Sequence, residues 1–265
     1  MARIIGQSRL VSIINSFTKQ TLPKTMLFIG PSGCGKHTIS KYLAERFSLD
    51  VINIDESVTA DELNSYLIKT IDTLYIIDLN KFSEKQQNQF LKFIEEPSKS
   101  TYVILLANSE IGILPTVINR CSKYFFDSYS KEEIEQILNT TVNDLAFNIF
   151  RTPGKLLNLT ENSFRDLLTL GEKVISRIGQ VTYGDALIIS TRINYKDLYS
   201  KVDFNLFFDV VEFLALEDFK TNNNKQSLVI FEITNKFKQY TTQYNLLKEA
   251  LMLNYLTTLW EALQI

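Results

Sequence analysis

Residues 30–36 read GPSGCGK and have the spacing of a phosphate-binding loop. They lie between an apolar run typical of a strand and a segment with helical periodicity. In this position glycines let successive backbone N–H groups point at phosphate oxygens, while the helix N-terminus and the lysine add positive charge. A chance glycine turn would not explain the lysine. The sequence predicts a nucleotide site at Gly30, Ser32, Gly33, Cys34, Gly35 and Lys36.

The next position departs from the pattern of a magnesium-dependent ATPase. A serine or threonine hydroxyl there ligates Mg²⁺, but this chain has His37, and imidazole nitrogen suits softer metals. Thr38 carries a hydroxyl, yet it points about 100° further round the helix. We expect His37 and Thr38 to lie at the nucleotide site and Mg²⁺ to bind weakly or not at all.

A second departure lies at the end of the third predicted strand, which reads Ile77-Asp78-Leu79-Asn80. Working enzymes of this kind carry adjacent acids there, one for the metal and one to orient the attacking water. Asp78 can still serve the metal, but Leu79 cannot polarise water. His37 and Leu79 are therefore two independent defects in the same chemistry.

Five short apolar runs must position these residues. They are rich in Ile, Val, Tyr and Phe, as strands buried on both faces are, and segments 35–47 and 84–96 between them have helical spacing. This alternation predicts a parallel sheet with crossover helices. After residue 126 the periodicity is helical, starting with a serine-capped segment at 130–139. The five runs are TMLFI (25–29), VINI (51–54), LYIID (74–78), YVILLA (102–107) and KYFF (123–126).

The composition is that of a globular protein. The chain has 265 residues and a net charge of −2, and neither half is basic enough to predict tight autonomous binding to nucleic acid. Its two cysteines, Cys34 and Cys121, lie in different motifs, which favours a reducing cytoplasm over a disulfide framework. Neither a signal peptide nor a membrane span is expected.

Five further segments share their motifs with one protein family. They are IIGQ (4–7), FLKFIEEPSKSTYVILLANSE (90–110), LPTVINRC (114–121), RTPGKLLNL (151–159) and YNLLKEALMLNYLTTL (244–259). With these motifs the chain resembles the AAA+ clamp-loader subunits. The resemblance is strongest to the delta-prime type of DNA polymerase III, and it extends to the small subunits of replication factor C.

The resemblance implies a fold that combines an α/β part with an all-α part. An AAA+ P-loop NTPase core with a parallel five-stranded sheet would span residues 1–126. A small helical lid would follow at 127–160, and a helical collar domain for oligomerisation at 161–265. In the last helix the three- and four-residue spacing places five apolar residues on one face: Leu247, Ala250, Leu251, Tyr255 and Leu259.

The resemblance also implies roles for single residues. Ile5 would lie on the adenine side, and Asn108 would be sensor 1; the alternative for Asn108 is a residue that simply ends a strand. Arg120 would be an arginine finger that acts on ATP bound by a neighbouring subunit. The alternative for Arg120 is a surface salt bridge.

Two further features bear on hydrolysis and on metal binding. Gly154 stands where active members carry the sensor 2 arginine, with Lys155 next to it. The four-cysteine zinc module of bacterial relatives has no counterpart, so we expect no zinc and no other metal.

These features favour a non-hydrolysing, stator-like subunit of a sliding-clamp loader in DNA replication. Its partners would be other AAA+ subunits in a hetero-pentamer, the sliding clamp and primer-template DNA, and ATP or ADP could occupy its loop. An active motor subunit is an alternative that needs Thr38, Asp78 and Lys155 to compensate together. A different AAA+ protein of DNA repair, or a scaffold, is another. Lys81 and Lys85 are candidate DNA contacts, or else simply a solvated pair.

Overall fold

The computed structural model describes residues 4–66, 68, 70–157, 159–180, 182, 204–243 and 248–264. These residues belong to two compact units. The first comprises Met1–Val142 with Arg151–Leu157, and the second comprises Asn143–Phe150 with Asn158–Ile265. The domain boundaries expected near residues 126 and 160 stay predictions.

The first unit contains a five-stranded parallel sheet in the order β2-β3-β4-β1-β5. Each predicted strand is present to within one residue at either end, which confirms the α/β core expected from the sequence. The strands are β1 Thr25–Ile29, β2 Asp50–Ile54, β3 Thr73–Asp78, β4 Thr101–Ala107 and β5 Ser122–Phe125.

Burial differs between the middle and the edges of this sheet. Strands β1 and β4 are buried along their whole length, and β3 along nearly all of it. Strands β2 and β5 are mostly exposed. The expectation that all five strands are buried on both faces is therefore wrong for these two. They lie at the sheet edges, a position that local composition does not reveal.

Helices and short turns connect the strands. The predicted helix 84–96 is divided into two helical pieces joined by a 3₁₀ turn at Asn88–Phe90. Ser130 begins α7 as predicted, because its hydroxyl accepts from Glu133 N while the Glu133 carboxylate accepts from Ser130 N. The helices are α1 Ser8–Ser16, α2 Lys36–Phe47, α3 Ala60–Tyr66, α4 Glu84–Gln87, α5 Leu91–Glu95, α6 Pro115–Ile118, α7 Lys131–Leu138 and α9 Pro153–Leu156.

All the secondary-structure elements described in the second unit are helices. Its helices are α8 Asp144–Phe150, α10 Glu161–Arg177, α11 Phe204–Asn222, α12 Lys225–Gln243 and α13 Lys248–Leu263. Leu247 and the rest of 244–247, predicted to open the last helix, lie outside the described residues, as does 183–203. In the described part of the chain no helix is both long and apolar enough to cross a membrane.

The second unit contains a buried polar contact within an aromatic cluster and a set of ion pairs between two helices. Tyr255 is fully buried against Phe208 and Phe237, and its hydroxyl lies 2.7 Å from Thr234 Oγ1. Lys238 on α12 pairs with two carboxylates of α11, Asp209 at 2.7 Å and Glu212. Burial opposes the charge of Lys238, but the two carboxylates prevail and raise its pKa.

Lys238→Met should destabilise this unit by about 2 kcal/mol, because it removes the cation that pairs with two largely buried carboxylates. Urea unfolding followed by the fluorescence of Trp260, the single tryptophan, measures the change. Lys236→Met is the matched control, since Lys236 is exposed on the same helix and should shift stability by less than about 0.5 kcal/mol. Equal effects of the two substitutions would contradict the assignment.

Candidate nucleotide-binding site

Three neighbouring strands of the sheet end at the candidate site. Asp78 is the last residue of β3, Asn108 follows β4, and Gly30 follows β1. Strand β4 lies between the other two, with Leu106 opposite Asp78 and Ala107 opposite Ile29. The sheet therefore brings together the three predicted site segments at its carboxyl edge, where parallel α/β sheets bind ligands.

The side chain of Lys36 lies inside its own loop. Its Nζ donates to the carbonyl oxygens of Gly30 and of Pro31, the latter at 3.0 Å, and to Asn108 Oδ1 at 3.2 Å. Lys36 is only 8% exposed. Burial lowers its pKa, and the nearby charge of Lys155 lowers it further, against the opposing effects of Cys34 and Asp78. The predicted lysine is thus at the site, held by uncharged acceptors.

The next three carbonyl oxygens of the loop accept hydrogen bonds from later segments of the same unit. Thr152 Oγ1 donates to Ser32 O at 3.0 Å, and Gly154 N donates to Gly33 O at 2.9 Å. Tyr129 OH donates to Cys34 O at 2.8 Å. Together with the bonds from Lys36, every carbonyl of residues 30–34 is hydrogen-bonded.

Unlike the carbonyl groups, several backbone amide groups of the loop have no hydrogen-bond acceptor among the described residues. Among the described residues no acceptor pairs with the N–H groups of Ser32, Gly33 or Gly35. Gly33 (φ 79°) and Gly35 (φ 95°) adopt left-handed conformations that only glycine reaches at low cost. Unpaired amides at the start of α2 suit a phosphate group, so the loop fits the phosphates of a nucleotide.

Gly154 packs directly on this loop. A Cβ added to Gly154 would lie 2.6 Å from Gly33 Cα, closer than any normal contact. A Cβ on Gly33 would lie 2.9 Å from Lys155 N. The structure therefore places both predicted sensor 2 positions, Gly154 and Lys155, beside the phosphate loop, and position 154 has no room for a side chain.

At the end of β3 the side chain of Asn80 donates a hydrogen bond to the carboxylate of Asp78. Asp78 Oδ1 accepts from Asn80 Nδ2 at 2.6 Å and from Asn80 N at 3.2 Å. The amide oxygen of Asn80 in turn accepts from Asn108 N at 2.9 Å. Leu79 is 2% exposed and belongs to the core beneath the sheet edge. Asn80 thus connects two predicted site residues, a role that the sequence analysis missed.

The ligands that this site offers to Mg²⁺ differ from the usual oxygen set. His37 and Thr38 lie in the first turn of α2, and both residues are exposed. Partial desolvation of the imidazole ring lowers the pKa of His37; Asp78 opposes this shift, while Lys41, Lys36 and Lys81 add to it. Mg²⁺ requires oxygen ligands in octahedral geometry, but position 37 offers nitrogen and an Asp78 oxygen is already occupied. In the described part of the chain no group of three His, Cys, Asp or Glu side chains could hold a metal ion.

Two residues outside the predicted set hold the N-terminal motif next to the loop. Gln7 is buried, and its side chain donates to Asp127 O at 2.7 Å and accepts from Asp127 N at 2.8 Å. Tyr129 packs against Gly6 and bonds to Cys34. Ile5, predicted on the adenine side, is half-buried and directly precedes Gly6 and Gln7 in the sequence. Burial raises the pKa of Tyr129, so it stays a hydrogen-bond donor at neutral pH.

Arg120 lies at a different place on the unit, after the short helix α6. Its Nη2 lies 3.2 Å from Glu95 Oε1 and its Nε lies 3.1 Å from Glu95 Oε2. Its Nη1 donates to Thr116 O at 2.9 Å. Cys121 is partly buried, and burial raises its thiol pKa to about 12, so it is an unreactive packing residue. The salt bridge that the sequence left open for Arg120 is thus present.

The two predicted DNA contacts lie apart from the loop in the sequence and are both exposed. Lys81 ends a 3₁₀ turn, and Lys85 lies in α4. Before α4, Ser83 N and Ser83 Oγ both donate to the side-chain oxygen of Gln86. Whether Lys81 and Lys85 contact DNA stays a prediction.

Comparison with known proteins gives the fold a family context. A family model described as DNA polymerase III, delta subunit, matches residues 51–130, which include Asp78, Asn108 and Arg120. The solved structure of a DNA polymerase III gamma subunit-related protein from Thermotoga maritima has a TM-score of 0.50. It is 17% identical and covers 96% of this chain and 98% of that chain.

Two curated relatives are considerably longer than the segment that matches this chain. The replication-associated recombination protein A of Haemophilus influenzae is 28% identical over 173 residues, 61% of this chain and 35% of that protein. DNA polymerase III subunit delta' of Bacillus subtilis is 24% identical over 191 residues, 59% of this chain and 56% of that protein. The chain thus spans only about a third to a half of the curated relatives it matches.

The sheet, the glycine loop and the residues at the strand ends define an α/β fold with a phosphate-binding loop, similar to that of the gamma subunit-related protein. The matched family model and the curated relatives make this chain similar to subunits of DNA polymerase III and of replication factor C.

Gly154→Ala should destabilise the chain by about 1–3 kcal/mol, because the added Cβ would overlap the backbone of Gly33. Urea unfolding followed by circular dichroism measures the loss. Gly179→Ala is the control, since its Cβ would meet Leu263 at an ordinary 3.6 Å. A loss at Gly154 no larger than that at Gly179 would show that the loop does not need this contact.

Proposed function

We propose that this chain is a non-hydrolysing, stator-like subunit of a sliding-clamp loader in DNA replication. The end of β3 is the observation that carries the proposal. Leu79 lies in the core where an acid would orient the attacking water, and Asn80 occupies the carboxylate of Asp78. His37 and the close contact of Gly154 with Gly33 support the same conclusion.

The loop would still bind a nucleotide, through backbone amides and Lys36. Such binding needs no metal, because the amides and the lysine supply the positive charge that Mg²⁺ would otherwise contribute. In this proposal ATP or ADP holds the first unit in one conformation and is not consumed. Asn108 would serve as the acceptor that orients Lys36, in keeping with their 3.2 Å contact.

Arg120 would act on a neighbouring subunit. Its position is away from the chain's own loop, and its guanidinium is one-third exposed, which suits contact with ATP bound by another chain. The partners would be AAA+ subunits with intact catalytic residues, in a hetero-pentamer held by the second unit. In this proposal the sliding clamp and primer-template DNA are further partners, and the protein acts in the cytoplasm.

The recombination relative favours a second candidate function. Its 28% identity over 173 residues is compatible with an AAA+ protein of DNA repair. Isolation of the chain from its source distinguishes the two, since a clamp-loader subunit co-purifies with subunits that have intact catalytic residues. A lone chain or a homo-oligomer would contradict the clamp-loader proposal.

Removal of Mg²⁺ should change the affinity of the isolated chain for ADP by less than about threefold. Lys36→Ala should weaken binding by about tenfold or more, because a charge-assisted hydrogen bond to phosphate is lost. Isothermal titration with ADP in EDTA and in MgCl₂ measures both. Turnover of ATP by the isolated chain that Lys36→Ala abolishes would overturn the non-hydrolysing assignment.

Arg120→Ala should lower the ATPase activity of the assembled complex by about tenfold or more at the neighbouring site, because finger arginines stabilise transition-state charge. Lys123→Ala is the matched control, since Lys123 is an exposed cation nearby in sequence that pairs with Glu110. Native mass should show intact assemblies for both variants. Unchanged activity of Arg120→Ala would remove the finger from the proposal.

A further inference from the structure

The guanidinium of Arg120 is held on one edge by a single carboxylate. Nε and Nη2 each contact one oxygen of Glu95, at 3.1 Å and 3.2 Å, so the pair is bidentate. A bidentate pair fixes both the distance and the plane of the guanidinium, which a single contact cannot do. The carbonyl of Thr116 adds a third fixed point at Nη1.

Three of the five N–H donors of this guanidinium are used in these contacts. Nη1 and Nη2 each carry two hydrogens, and each nitrogen donates one of them to these contacts. One donor therefore remains on Nη1 and one on Nη2. Two donors in one plane form the fork that matches two oxygens of a phosphate group, so the ion pair with Glu95 leaves Arg120 able to bind a nucleotide.

The backbone on both sides of the pair is fixed. Glu95 ends α5, directly after Phe93 and Ile94, which are 1% and 2% exposed. On the other side, the loop before α6 is held by the side chain of Gln87. Gln87 is 2% exposed, donates to Gly112 O at 2.9 Å and accepts from Leu114 N at 3.0 Å. Carboxylate and guanidinium thus stand on two rigid segments.

Stability does not explain this arrangement. The side chains of Arg120 and Glu95 are 33% and 52% exposed, and exposed ion pairs contribute little to folding. A bidentate contact that orients a side chain, however, matters greatly to a reaction that depends on position.

We propose that Glu95 is a positioning residue for Arg120. It holds the guanidinium so that the remaining donors on Nη1 and Nη2 face the phosphates of a nucleotide bound by a neighbouring subunit. This inference rests on the proposed function and adds to it a residue within the chain that determines how well the finger acts. Glu95 itself touches no nucleotide.

The test uses the assembled complex with Glu95→Gln in this chain. The amide keeps one acceptor oxygen and loses the charged, bidentate contact. The value of kcat for ATP hydrolysis should fall about five- to tenfold while KM stays within about twofold, because the finger acts on the transition state. Glu95→Asp, which keeps a carboxylate on a shorter stem, should recover part of the loss.

Glu96→Gln is the matched control. Glu96 is the next residue, is also exposed and forms no ion pair among the described residues. It should leave kcat unchanged, and all three variants should unfold within about 2 °C of the wild type, as surface substitutions do. Equal kcat values for Glu95→Gln and Glu96→Gln would overturn the inference.

The double variant Arg120→Ala/Glu95→Gln separates this inference from the proposed function. If Glu95 acts through Arg120, the double variant should be no slower than Arg120→Ala alone. A further fall in kcat would show that Glu95 acts elsewhere and would reject its positioning role. If Arg120→Ala has no effect, the proposed finger fails, and the role of Glu95 fails with it. If Arg120→Ala is slow and Glu95→Gln is normal, only the role of Glu95 fails.

Discussion

The phosphate loop is organised by the hydrogen bonds of its carbonyl groups. Lys36 binds Gly30 O and Pro31 O, and Thr152, Gly154 and Tyr129 bind the three carbonyls that follow. A short loop whose carbonyls are all tied to the protein interior has little freedom left, and the amides of Ser32, Gly33 and Gly35 remain available to a ligand. The rest of the site depends on this constraint, because it fixes where Lys36, Asn108 and Lys155 can lie.

The same contacts give a physical reason for the loss of hydrolysis that we propose. An arginine at position 154 could not coexist with the Gly154–Gly33 contact, so the closely packed loop and a sensor 2 arginine exclude each other here. Asn80 has a related effect at Asp78, since it satisfies the carboxylate from within. Both changes replace groups that would act on a metal or water with contacts that stabilise the unit. A stator needs such rigidity, whereas a motor needs groups that remain free to react.

The Arg120 region follows a different logic. There the ion pair with Glu95 is exposed and of little value for folding, yet its supports on both sides are buried. Rigid backbone beneath an exposed, oriented side chain is the arrangement expected where a residue acts on another molecule. The two regions thus have different proposed roles: the loop holds the chain's own nucleotide, and the exposed Arg120 acts on a neighbouring subunit.

Much of this arrangement could be predicted from the sequence. The spacing of GPSGCGK, the five apolar runs and the serine cap at 130 are local patterns, and local patterns determine strands, helix starts and the phosphate loop almost residue by residue. The non-hydrolysing role that we propose likewise rests on the identities of His37 and Leu79, because the ligand chemistry that they lack belongs to the residue itself.

Other features were decided only by the tertiary structure. Local composition could not tell that β2 and β5 form the sheet edges, since strand order depends on long-range pairing. Nor could it place Asn80 on Asp78, Gly154 on Gly33 or Glu95 on Arg120. Each of these contacts joins groups whose distance and direction are set by the packing of different segments or by the exact path of a turn. The sequence alone therefore determined the chemistry that this protein has available, and the fold determined which of those groups meet.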